Sequence, residues 1–405
     1  MPGRRHGADQ PPVLLLGGIA NALSAARSMG RRGRRVFALA ENQEFNALPF
    51  SRYVSEWVPL GSDEPVEVRW WRWLANGPVG AVVLPCGDIG LEFVARHRRA
   101  LVESGYFPVR AADEVVLAML DKRRTFELAR EVGIEAPRVS TVQGPEDIDR
   151  VLAEFSFPCA FKPRRSHENH TPHKGYVVRD RQEFHETFQW LRSVGTDMLV
   201  TEIVPGVDDS YCSYYSFLDA DGNPATNFTK QKIRQRPPVF GDIGTFHATR
   251  WYPDAAELGL RFFRNIGLRG LGNVEFKRDA RDGRLKLIEC NPRLTAANEL
   301  VHRAGIDFAE IAYRDALGHS LAVPQGFRTG MHFWLPLSDL RALPDYRRRG
   351  EFSTARWLTS IARPAVLPLF DHGDPLPSIA NAGNFTRRTG SYLRRRGRGA
   401  PAAAA

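Results

Sequence analysis

Short apolar runs alternate with a helix-spaced segment near the start of the chain. Residues 13–16 form an apolar run, Gly17 and Gly18 follow it, and apolar side chains recur at helical spacing over residues 21–32. A second apolar run covers residues 35–39. Strand, helix and strand in this order predict a βαβ unit, which opens an α/β domain with a parallel sheet. The two glycines indicate a tight strand-to-helix turn, because a dinucleotide-binding fingerprint needs a third glycine at a fixed spacing.

A third apolar run, residues 81–84, extends the same domain. It leads to Asp88, which we expect to be the N-cap of a helix over residues 89–103. Open α/β sheets bind their ligands at the carboxyl ends of the parallel strands. We therefore expect this domain to supply one wall of a substrate site.

The middle of the chain has the pattern of a smaller α/β unit. Residues 113–133 predict one or two helices, which end at Gly133. The elements that follow are a helix at 145–155, a strand at 158–163, a strand at 176–178, a helix at 182–194 and a strand at 198–204. A polar loop with three histidines, residues 164–174, separates the first two strands.

The pattern becomes rich in strands from residue 209 onwards. The predicted elements are strands at 211–218 and 226–233, a loop at 235–245, and helices at 255–266 and 299–317. Beyond residue 320 the periodicity fades, and scattered Trp and Pro residues predict a packed but irregular extension. Residues 1–11 and the Arg-rich, then Ala-rich residues 393–405 are expected to be disordered.

The rest of the chain is organised around residues 272–293. Strand-like segments at 274–276 and 285–288 flank the turn signal Asp282-Gly283, and together they predict a β-hairpin. The length of the hairpin loop decides which side chains meet, because strand side chains alternate between the two faces of a sheet.

Two hairpin registers are open. A two-residue loop would pair Glu275 with Cys290 and place Glu275 and Glu289 on opposite faces. A three-residue loop, residues 281–283, would pair Glu275 with Glu289 instead. We favour the three-residue loop, because it gathers two carboxylates and the amide oxygen of Asn291 at one spot. A site that offers only oxygen ligands suits Mg²⁺ rather than zinc.

Length and composition restrict the class of protein. A chain of 405 residues exceeds one ordinary core, so two or three domains are expected. Its 43% hydrophobic and 25% charged residues are typical of a soluble globular protein. No apolar run is long enough to span a bilayer, and we see no signal peptide. Four cysteines without a CxxC pair argue for reduced thiols in a cytoplasmic protein, and against disulfides or zinc.

The net charge of +10 is concentrated in arginine clusters at residues 31–35, 347–349 and 394–398. We expect these clusters to be solvated faces and part of a disordered tail. Nucleic acid or an anionic membrane surface is the alternative partner, but no nucleic-acid-binding motif supports it. An anionic substrate such as a nucleotide also fits a basic protein.

Two lysines and one strand are candidates for nucleotide contacts. Lys162 ends a strand beside the polar loop, and Lys122 lies near a helix start, so the two cations together suit a triphosphate. The strand that ends in Thr201-Glu-Ile-Val-Pro-Gly206 can supply an apolar slot and backbone donors and acceptors for adenine. Asp208 just beyond it can supply a carboxylate for a ribose.

The order of these groups resembles the ATP-grasp superfamily of carboxylate–amine ligases. Within that superfamily the chain looks like the branch related to D-aspartate ligases and to the nucleotide-binding domains of carbamoyl-phosphate synthetase. The resemblance covers about residues 12–315 and rests on three motifs, which are Lys162-Pro163, Thr201-Glu-Ile-Val-Pro-Gly206, and Glu275 with Glu289-Cys-Asn291-Pro-Arg293.

The resemblance implies an α/β and α+β fold with an open parallel α/β domain in front of a two-lobed ATP-grasp domain. The expected segments are 1–11 disordered, 12–112 Rossmann-like, 113–318 ATP-grasp with its small lobe at about 137–203, 319–392 an irregular extension, and 393–405 a disordered tail.

The resemblance also implies three groups of site residues. The expected ligands of Mg²⁺ are Glu275, Glu289 and Asn291. Two ions are expected, with Glu289 as the bridge between them, and Mn²⁺ can substitute for Mg²⁺. The residues expected to bind ATP are Lys122, Lys162, Glu202, Val204 through its backbone, and Asp208, with Asp209 as the alternative to Asp208. The catalytic groups expected near the transferred phosphate are Arg293, Lys232 and Arg234.

One feature departs from the family. Its members usually carry a glycine-rich loop after the second lysine, whereas residues 164–174 contain no glycine and only Gly175 follows. We expect polar side chains to do part of the phosphate binding instead, from among Arg164, Arg165, His167 and Lys174. A metal site formed by the three histidines of this loop is the less favoured alternative.

The implied activity is ATP-dependent formation of an amide through an acyl phosphate, with release of ADP and phosphate. The expected partners are a small carboxylic acid, in particular an amino acid, and an amine, while no nucleic acid is expected and a homodimer is plausible. Two alternatives stay open. One is a related enzyme with a carboxylase- or thiol-type acceptor, and the other is a catalytically silent ATP-binding regulatory module.

Overall fold

The computed structural model describes residues 10–41, 47–60, 64–171, 173–239, 241, 243–321, 323–324 and 326–383. Apart from residues 10 and 11, the segments predicted to be disordered at 1–11 and 393–405 lie outside these ranges, and so does the arginine cluster at 394–398.

The first sheet is parallel and has five strands in the order β3-β2-β1-β4-β5. Its elements are β1 (Val13–Leu16), α1 (Ala20–Arg31), β2 (Val36–Glu41), β3 (Glu56–Leu60), α2 (Val66–Leu74), β4 (Val82–Pro85), α3 (Asp88–Glu103) and β5 (Phe107–Pro108). The apolar side chains of β1 alternate between two cores, with Val13 and Leu15 in one and Leu14 and Leu16 in the other. A strand buried on both faces reads as a continuous apolar run. The predicted open α/β domain is confirmed, and β3 and α2 are elements that the sequence pattern did not predict.

Two short helices lead into a second sheet of four strands. The elements are α4 (Asp113–Met119), α5 (Lys122–Glu131), β6 (Val139–Thr141), α6 (Ile148–Glu154), β7 (Cys159–Pro163), β8 (Tyr176–Val178), α7 (Arg181–Val194) and β9 (Met198–Glu202). The strands pair antiparallel in the order β6-β9-β7-β8. The carboxylate of Asp121 accepts a hydrogen bond from the backbone N–H of Arg123 at 2.9 Å, which caps α5 and fixes the position of Lys122.

The third sheet has seven strands in the order β14-β13-β10-β11-β12-β15-β16. Its first elements are β10 (Tyr211–Leu218), β11 (Pro224–Arg236), β12 (Ile243–Thr249), α8 (Pro253–Asn265), β13 (Gly270–Arg278) and β14 (Leu285–Asn291). The remaining elements are α9 (Asn298–Arg303), α10 (Phe308–Ala316), β15 (His332–Trp334), α11 (Pro336–Arg348), α12 (Thr354–Ile361) and β16 (Ala365–Val366).

Three predictions for this part of the chain were wrong. The segment predicted as a loop at 235–245 contributes the end of β11 and the start of β12. The helix predicted at 299–317 is two helices, because Gly305 has a φ of +116° between them, a conformation that interrupts a right-handed helix. The extension predicted to be irregular contains α11 and α12, and its strand β15 pairs with β12.

The carboxyl end of the described chain packs against the first domain through Arg27. This side chain is fully buried, and its Nε donates to Asp374 Oδ2 at 3.0 Å. Its two other nitrogens donate to the carbonyls of Pro368 at 3.0 Å and of Leu369 at 2.9 Å. Asp374 also accepts from Ser51 Oγ at 2.7 Å and the backbone N–H of Arg52 at 2.9 Å. The extension is therefore bonded to α1 as well as to the third sheet.

Three arginines of the cluster at 31–35 are ion-paired rather than simply solvated, whereas the cluster at 347–349 is exposed, as expected. Arg31 contacts Asp371 at 2.5 Å, and Arg32 and Arg34 both contact Glu310 on α10. All four cysteines are buried free thiols. None of the helices in the described ranges combines the length and apolar character needed to cross a bilayer.

Candidate active site

The hairpin of β13 and β14 places the two predicted acids opposite each other. Glu275 pairs with Glu289, and Asn273 pairs with Asn291. The predicted register is therefore confirmed, but the predicted three-residue loop is wrong. The backbone N–H of Gly283, which has a φ of +72°, donates to the carbonyl of Asp279 at 2.8 Å and closes a longer turn. A bulge at Ile288 restores the pairing of the two acids, because an extra residue shifts the ladder by one.

The two acids differ in their partners. Glu275 accepts a hydrogen bond from Lys232 Nζ at 2.7 Å and a long one from Ser213 Oγ at 3.5 Å. Glu289 accepts no hydrogen bond within the described part of the chain. Burial raises the pKa of Glu289, but Lys122, Lys174 and Arg293 outweigh burial and hold the pKa below its ordinary value. An ionised carboxylate without a donor, opposite a second carboxylate and near an amide oxygen, fits a hard divalent cation.

The hairpin acids open onto a cavity of about 180 Å³ between the second and third sheets. The ionisable side chains on its wall are Lys122, Lys162, Lys174, Lys230, Lys232, Tyr211, Tyr215, His247, Glu275 and Glu289. Five lysines face two glutamates, which gives the wall a charge of +3 when all seven groups are ionised and His247 is neutral. Such a wall attracts a polyanion and leaves two acids to hold its counterion.

The two predicted phosphate-binding lysines meet in this cavity. Lys122 Nζ donates to the carbonyl of Pro163 at 3.0 Å and to Ser166 Oγ at 2.7 Å, which holds it against the end of β7. Burial lowers the pKa of Lys122 below its ordinary value, because the opposing effect of the Glu289 and Asp88 charges is smaller. Burial and the neighbouring charge of Lys122 lower the pKa of Lys162 to about 8. Two cations held close together in a buried place require an anion between or beside them.

The polar loop at 164–174 contributes one lysine to the cavity and uses its other cations elsewhere. Lys174 lines the cavity. Arg164 contacts the N-cap carboxylate of Asp121 at 2.6 Å. Arg165 Nη1 and His167 Nε2 contact the two oxygens of Glu92 on α3, at 2.9 and 2.8 Å. Of the four side chains expected to help bind phosphate, only Lys174 is therefore directed at the cavity.

The three histidines of the loop do not converge on a metal site in the described residues. Only His167 belongs to a cluster of potential ligands, together with Glu92 and Glu168. The guanidinium of Arg165 contacts both of these carboxylates, at 2.9 and 3.4 Å. A cation is thus already present between the acids, and the less favoured metal hypothesis loses its support.

A narrow slot beside the main cavity lies where the adenine was expected. Glu202 and Val204 line it, with Phe126, Tyr211 and Ile288 as apolar walls. The Glu202 carboxylate accepts from the backbone N–H of Arg138 at 3.1 Å and from Arg281 at 2.5 Å, so this side chain already has two donors. The carbonyl of Val204 accepts a hydrogen bond from Lys277 Nζ at 2.9 Å.

Asp208 does not have the free carboxylate that a ribose would need. It is 2% exposed and accepts hydrogen bonds from Gln235 Nε2 at 2.7 Å, from Tyr346 at 2.5 Å and from the backbone N–H of Val239 at 3.1 Å. Tyr346 lies on α11, so one of the hydrogen bonds to the Asp208 carboxylate comes from the carboxyl-terminal extension. The predicted role of Asp208 is therefore not supported by its position, and its alternative, Asp209, is exposed.

The three residues predicted near the transferred phosphate occupy different places. Lys232 lines the cavity, as expected. Arg234 does not, because a bulge between Lys232 and Arg234 turns its side chain to the opposite face of β11. There Arg234 forms a buried ion pair with Asp339 at 2.7 Å. Arg293 does not line this cavity, although its charge acts on Glu289. Its Nε donates to Asp88 at 2.5 Å, and Asp88 is the first residue of α3 rather than its predicted N-cap.

The cavity also contains residues that sequence reasoning missed. They are Ser213 and Tyr215 on β10, Lys230 and Gln235 on β11, and His247 on β12. The alternation of Ser213 with Tyr211 and Tyr215 was a usable signal, because all three share one face of a strand. His247 had no such signal, since the sequence predicted a loop at 235–245 and no strand between that loop and the helix at 255–266.

Comparison with known proteins agrees with this geometry. Residues 250–323 match the family model described as "Carbamoyl-phosphate synthase L chain, ATP binding domain". The chain is 23% identical over 323 residues to D-aspartate ligase of Enterococcus faecium, with 75% of this chain and 76% of that protein covered. It is 25% identical over 233 residues to the carbamoyl phosphate synthase large chain of Vibrio cholerae, which covers 55% of this chain and 21% of that protein.

The fold is shared with solved structures as well. The biotin carboxylase domain of Hydrogenobacter thermophilus 2-oxoglutarate carboxylase, a dimer in complex with MgADP, ADP and bicarbonate, superposes with a TM-score of 0.62. The two are 18% identical, and the superposition covers 80% of this chain and 74% of that one. The chain is thus similar to ATP-grasp enzymes in part of its sequence and in its fold. In this chain the second and third sheets enclose the cavity.

Proposed function

We propose that the protein is an ATP-dependent ligase that joins a small carboxylic acid to an amine through an acyl phosphate. The observation that carries the proposal is the meeting of Glu275, Glu289 and Asn291 with Lys122 and Lys162 in one cavity. The oxygen ligands suit magnesium, and the lysines suit the phosphates of ATP.

The nucleotide has a defined place in this proposal. The adenine occupies the slot formed by the backbone of Glu202 and Val204 and by Ile288. Its phosphates lie between Lys122, Lys162 and Lys174. Glu275, Glu289 and Asn291 would hold one or two Mg²⁺ ions, which when bound neutralise charge on the phosphate oxygens. The ribose has no carboxylate partner at Asp208, because that side chain is fully hydrogen-bonded.

The reaction then has two steps. A carboxylate oxygen of the acid attacks the γ-phosphorus, the bond to the β,γ-bridging oxygen breaks, and ADP leaves. An amine nitrogen attacks the acyl carbon, loses a proton, and expels inorganic phosphate as the amide forms. Lys232 on the cavity wall and Arg293, whose charge acts on Glu289, stabilise the developing charge without forming a covalent bond. No nucleophilic side chain is needed.

The relatives indicate the class of substrate without fixing it. The most extensive of the sequence matches given above is to a ligase that takes D-aspartate by its name, so an amino acid is the first choice for the acid. The carboxylase-type structural neighbour shares only the fold, and bicarbonate as the acid is the second candidate. A homodimer is part of the proposal, because that neighbour was crystallised as a dimer.

The test is release of ADP in the presence of Mg²⁺, ATP, pooled amino acids and pooled amines. We expect release that requires both pools and that falls by at least about 100-fold in Glu289→Gln, which keeps the shape but removes the charge. The matched control is Glu103→Gln on α3, an exposed acid far from the cavity, which should leave the rate unchanged. Release that needs bicarbonate instead would establish the carboxylase-type reaction. Tight ATP binding without turnover for any acid would establish a binding module and refute the ligase.

A further inference from the structure

A row of side chains crosses the third sheet and ends at a lysine that the proposed reaction does not use. Glu289 on β14 pairs with Glu275 on β13, Glu275 pairs with Ser213 on β10, and Ser213 pairs with Lys230 on β11. All four side chains line the cavity. Lys230 therefore lies two strands from Glu275, on the side opposite to Glu289 in the strand order.

The ammonium group of Lys230 has a fixed orientation. Its Nζ lies 3.2 Å from Ser213 Oγ and 3.4 Å from His247 Nδ1. Burial and the neighbouring Lys230 and Lys232 lower the pKa of His247 well below its ordinary value, so its ring is neutral and Nδ1 accepts. Two of the three N–H groups of the lysine are thus occupied. The third has no acceptor in the described part of the chain.

Lys230 also forms no ion pair with the residues that the structure describes. The residue is 3% exposed, and Glu275, the acid across the row, gives its short contact to Lys232 instead. Burial lowers the pKa of Lys230 to about 8, although Glu275 opposes the change. A cation buried beside a cavity, with one donor unused, is a binding site for an anionic group of a ligand.

The surroundings of Lys230 restrict that group in size. Ser213 and His247 contact the ammonium, and the ring of Tyr215 lies beside it with its centroid 5.8 Å from Nζ. The hydroxyl of Tyr215 is held by a 2.9 Å contact with Thr295. Gly244 packs so closely on His247 that an added Cβ would lie 2.3 Å from its ring. Small polar residues, a glycine and one aromatic ring fixed by its hydroxyl leave room for a carboxylate rather than for a large side chain.

We propose that Lys230 binds a second carboxylate of the acid substrate, distinct from the carboxylate that is phosphorylated. This inference rests on the proposed ligase function, because it presupposes that an acid enters the cavity beside the phosphates. The ligase would then act on dicarboxylic acids, including acidic amino acids. Ser213 and His247 are positioning residues, since they aim the ammonium and accept from it.

The test measures binding of acids by calorimetry to the full-length protein saturated with MgADP. Four dicarboxylates are each compared with the acid that lacks one carboxylate, namely malonate with acetate, succinate with propionate, aspartate with β-alanine, and glutamate with γ-aminobutyrate. We expect at least one dicarboxylate to bind on the order of 10–100-fold more tightly than its counterpart, which is the range for one charge-assisted hydrogen bond. Lys230→Met should abolish this difference, and Lys230→Arg should keep part of it.

Two measurements keep the result unambiguous. Affinity for MgADP should be unchanged in Lys230→Met, which shows that the variant is folded. The matched control is Lys286→Met, because Lys286 is paired with Asp279 away from the cavity. The proposal is overturned if no dicarboxylate is preferred, if the preference survives in Lys230→Met, or if the variant weakens MgADP binding alone and Lys230 is a phosphate ligand. Failure of the ligase function would appear separately, as acid binding without acid-dependent ADP release.

Discussion

The carboxyl-terminal extension should be required for the stability of the first domain, and Asp374→Ala tests this. The variant removes the carboxylate that accepts from Arg27, Ser51 and the backbone N–H of Arg52. Arg27 is fully buried and stays behind as a cation whose remaining partners are carbonyl oxygens. The perturbation is therefore the loss of one partner of a buried ion pair.

The expected cost follows from that geometry. Removing one partner of a buried ion pair destabilises a protein by about 3–5 kcal/mol, because the other charge is left buried and uncompensated. A domain is typically stable by only about 5–15 kcal/mol, so a large part of the margin disappears. At roughly 2–4 °C for each kcal/mol, the melting temperature should fall by about 6–20 °C.

The assay combines a thermal melt with hydrogen exchange of the backbone amides at 365–374, which should lose protection first. The matched control is Arg99→Gln, whose ion pair with Glu103 is 92% and 62% exposed and should contribute at most about 0.5 kcal/mol. Adding Arg27→Met to Asp374→Ala should cost less than Arg27→Met alone, because both substitutions break the same pair. A melting temperature of Asp374→Ala within about 2 °C of that of Arg99→Gln would correspond to a loss of at most about 1 kcal/mol. The inferred docking of the extension would then be wrong.

Three further predictions concern single side chains in and near the cavity. Binding of a polyphosphate should raise the lowered pKa of Lys162, so ATP binding at a pH just above 8 should be accompanied by proton uptake. Calorimetry in buffers of different ionisation enthalpy measures this uptake, and Lys162→Met should abolish it. The hydrogen bond with His167 lowers the pKa of Glu92 to about 2. The ionised carboxylate therefore stabilises the fold above the ordinary pKa of a glutamate, and this stabilisation is lost as the pH falls towards 2. In Glu92→Gln, the melting temperature should depend less steeply on pH between 5 and 2. Gly244→Ala should displace the ring of His247 and weaken the binding of acids, with little effect on the affinity for MgADP. The control is Gly326→Ala, which should behave as the parent protein because no described atom lies within 4 Å of an added Cβ there.

The hairpin shows how a sequence can predict a strand pairing correctly for an incomplete reason. The prediction that Glu275 faces Glu289 assumed a three-residue loop. The turn is longer, and the bulge at Ile288 compensates for it. A preference for gathering oxygen ligands found the right pairing, but bulges have no strong signature in a single sequence.

The wrong site residues share a different cause. The resemblance implied that Arg234 lies near the transferred phosphate together with Lys232, and a bulge in β11 turned its side chain away. Asp208 was expected to be free, and Tyr346, 138 residues further along the chain, occupies its carboxylate. Local patterns contain no information about such distant partners, and they are least informative where the periodicity fades, as it does after residue 320.

The row Glu289, Glu275, Ser213 and Lys230 has a consequence for how this protein can change in evolution. Four residues from four strands meet because their strands are in register, and none of them is carried by a loop. Moving a strand by one residue turns every side chain to the other face. Insertions and deletions should therefore accumulate in the connections of the third sheet, such as the turn at 279–284, and be eliminated from β10, β11 and β13, where a single one would dismantle the row.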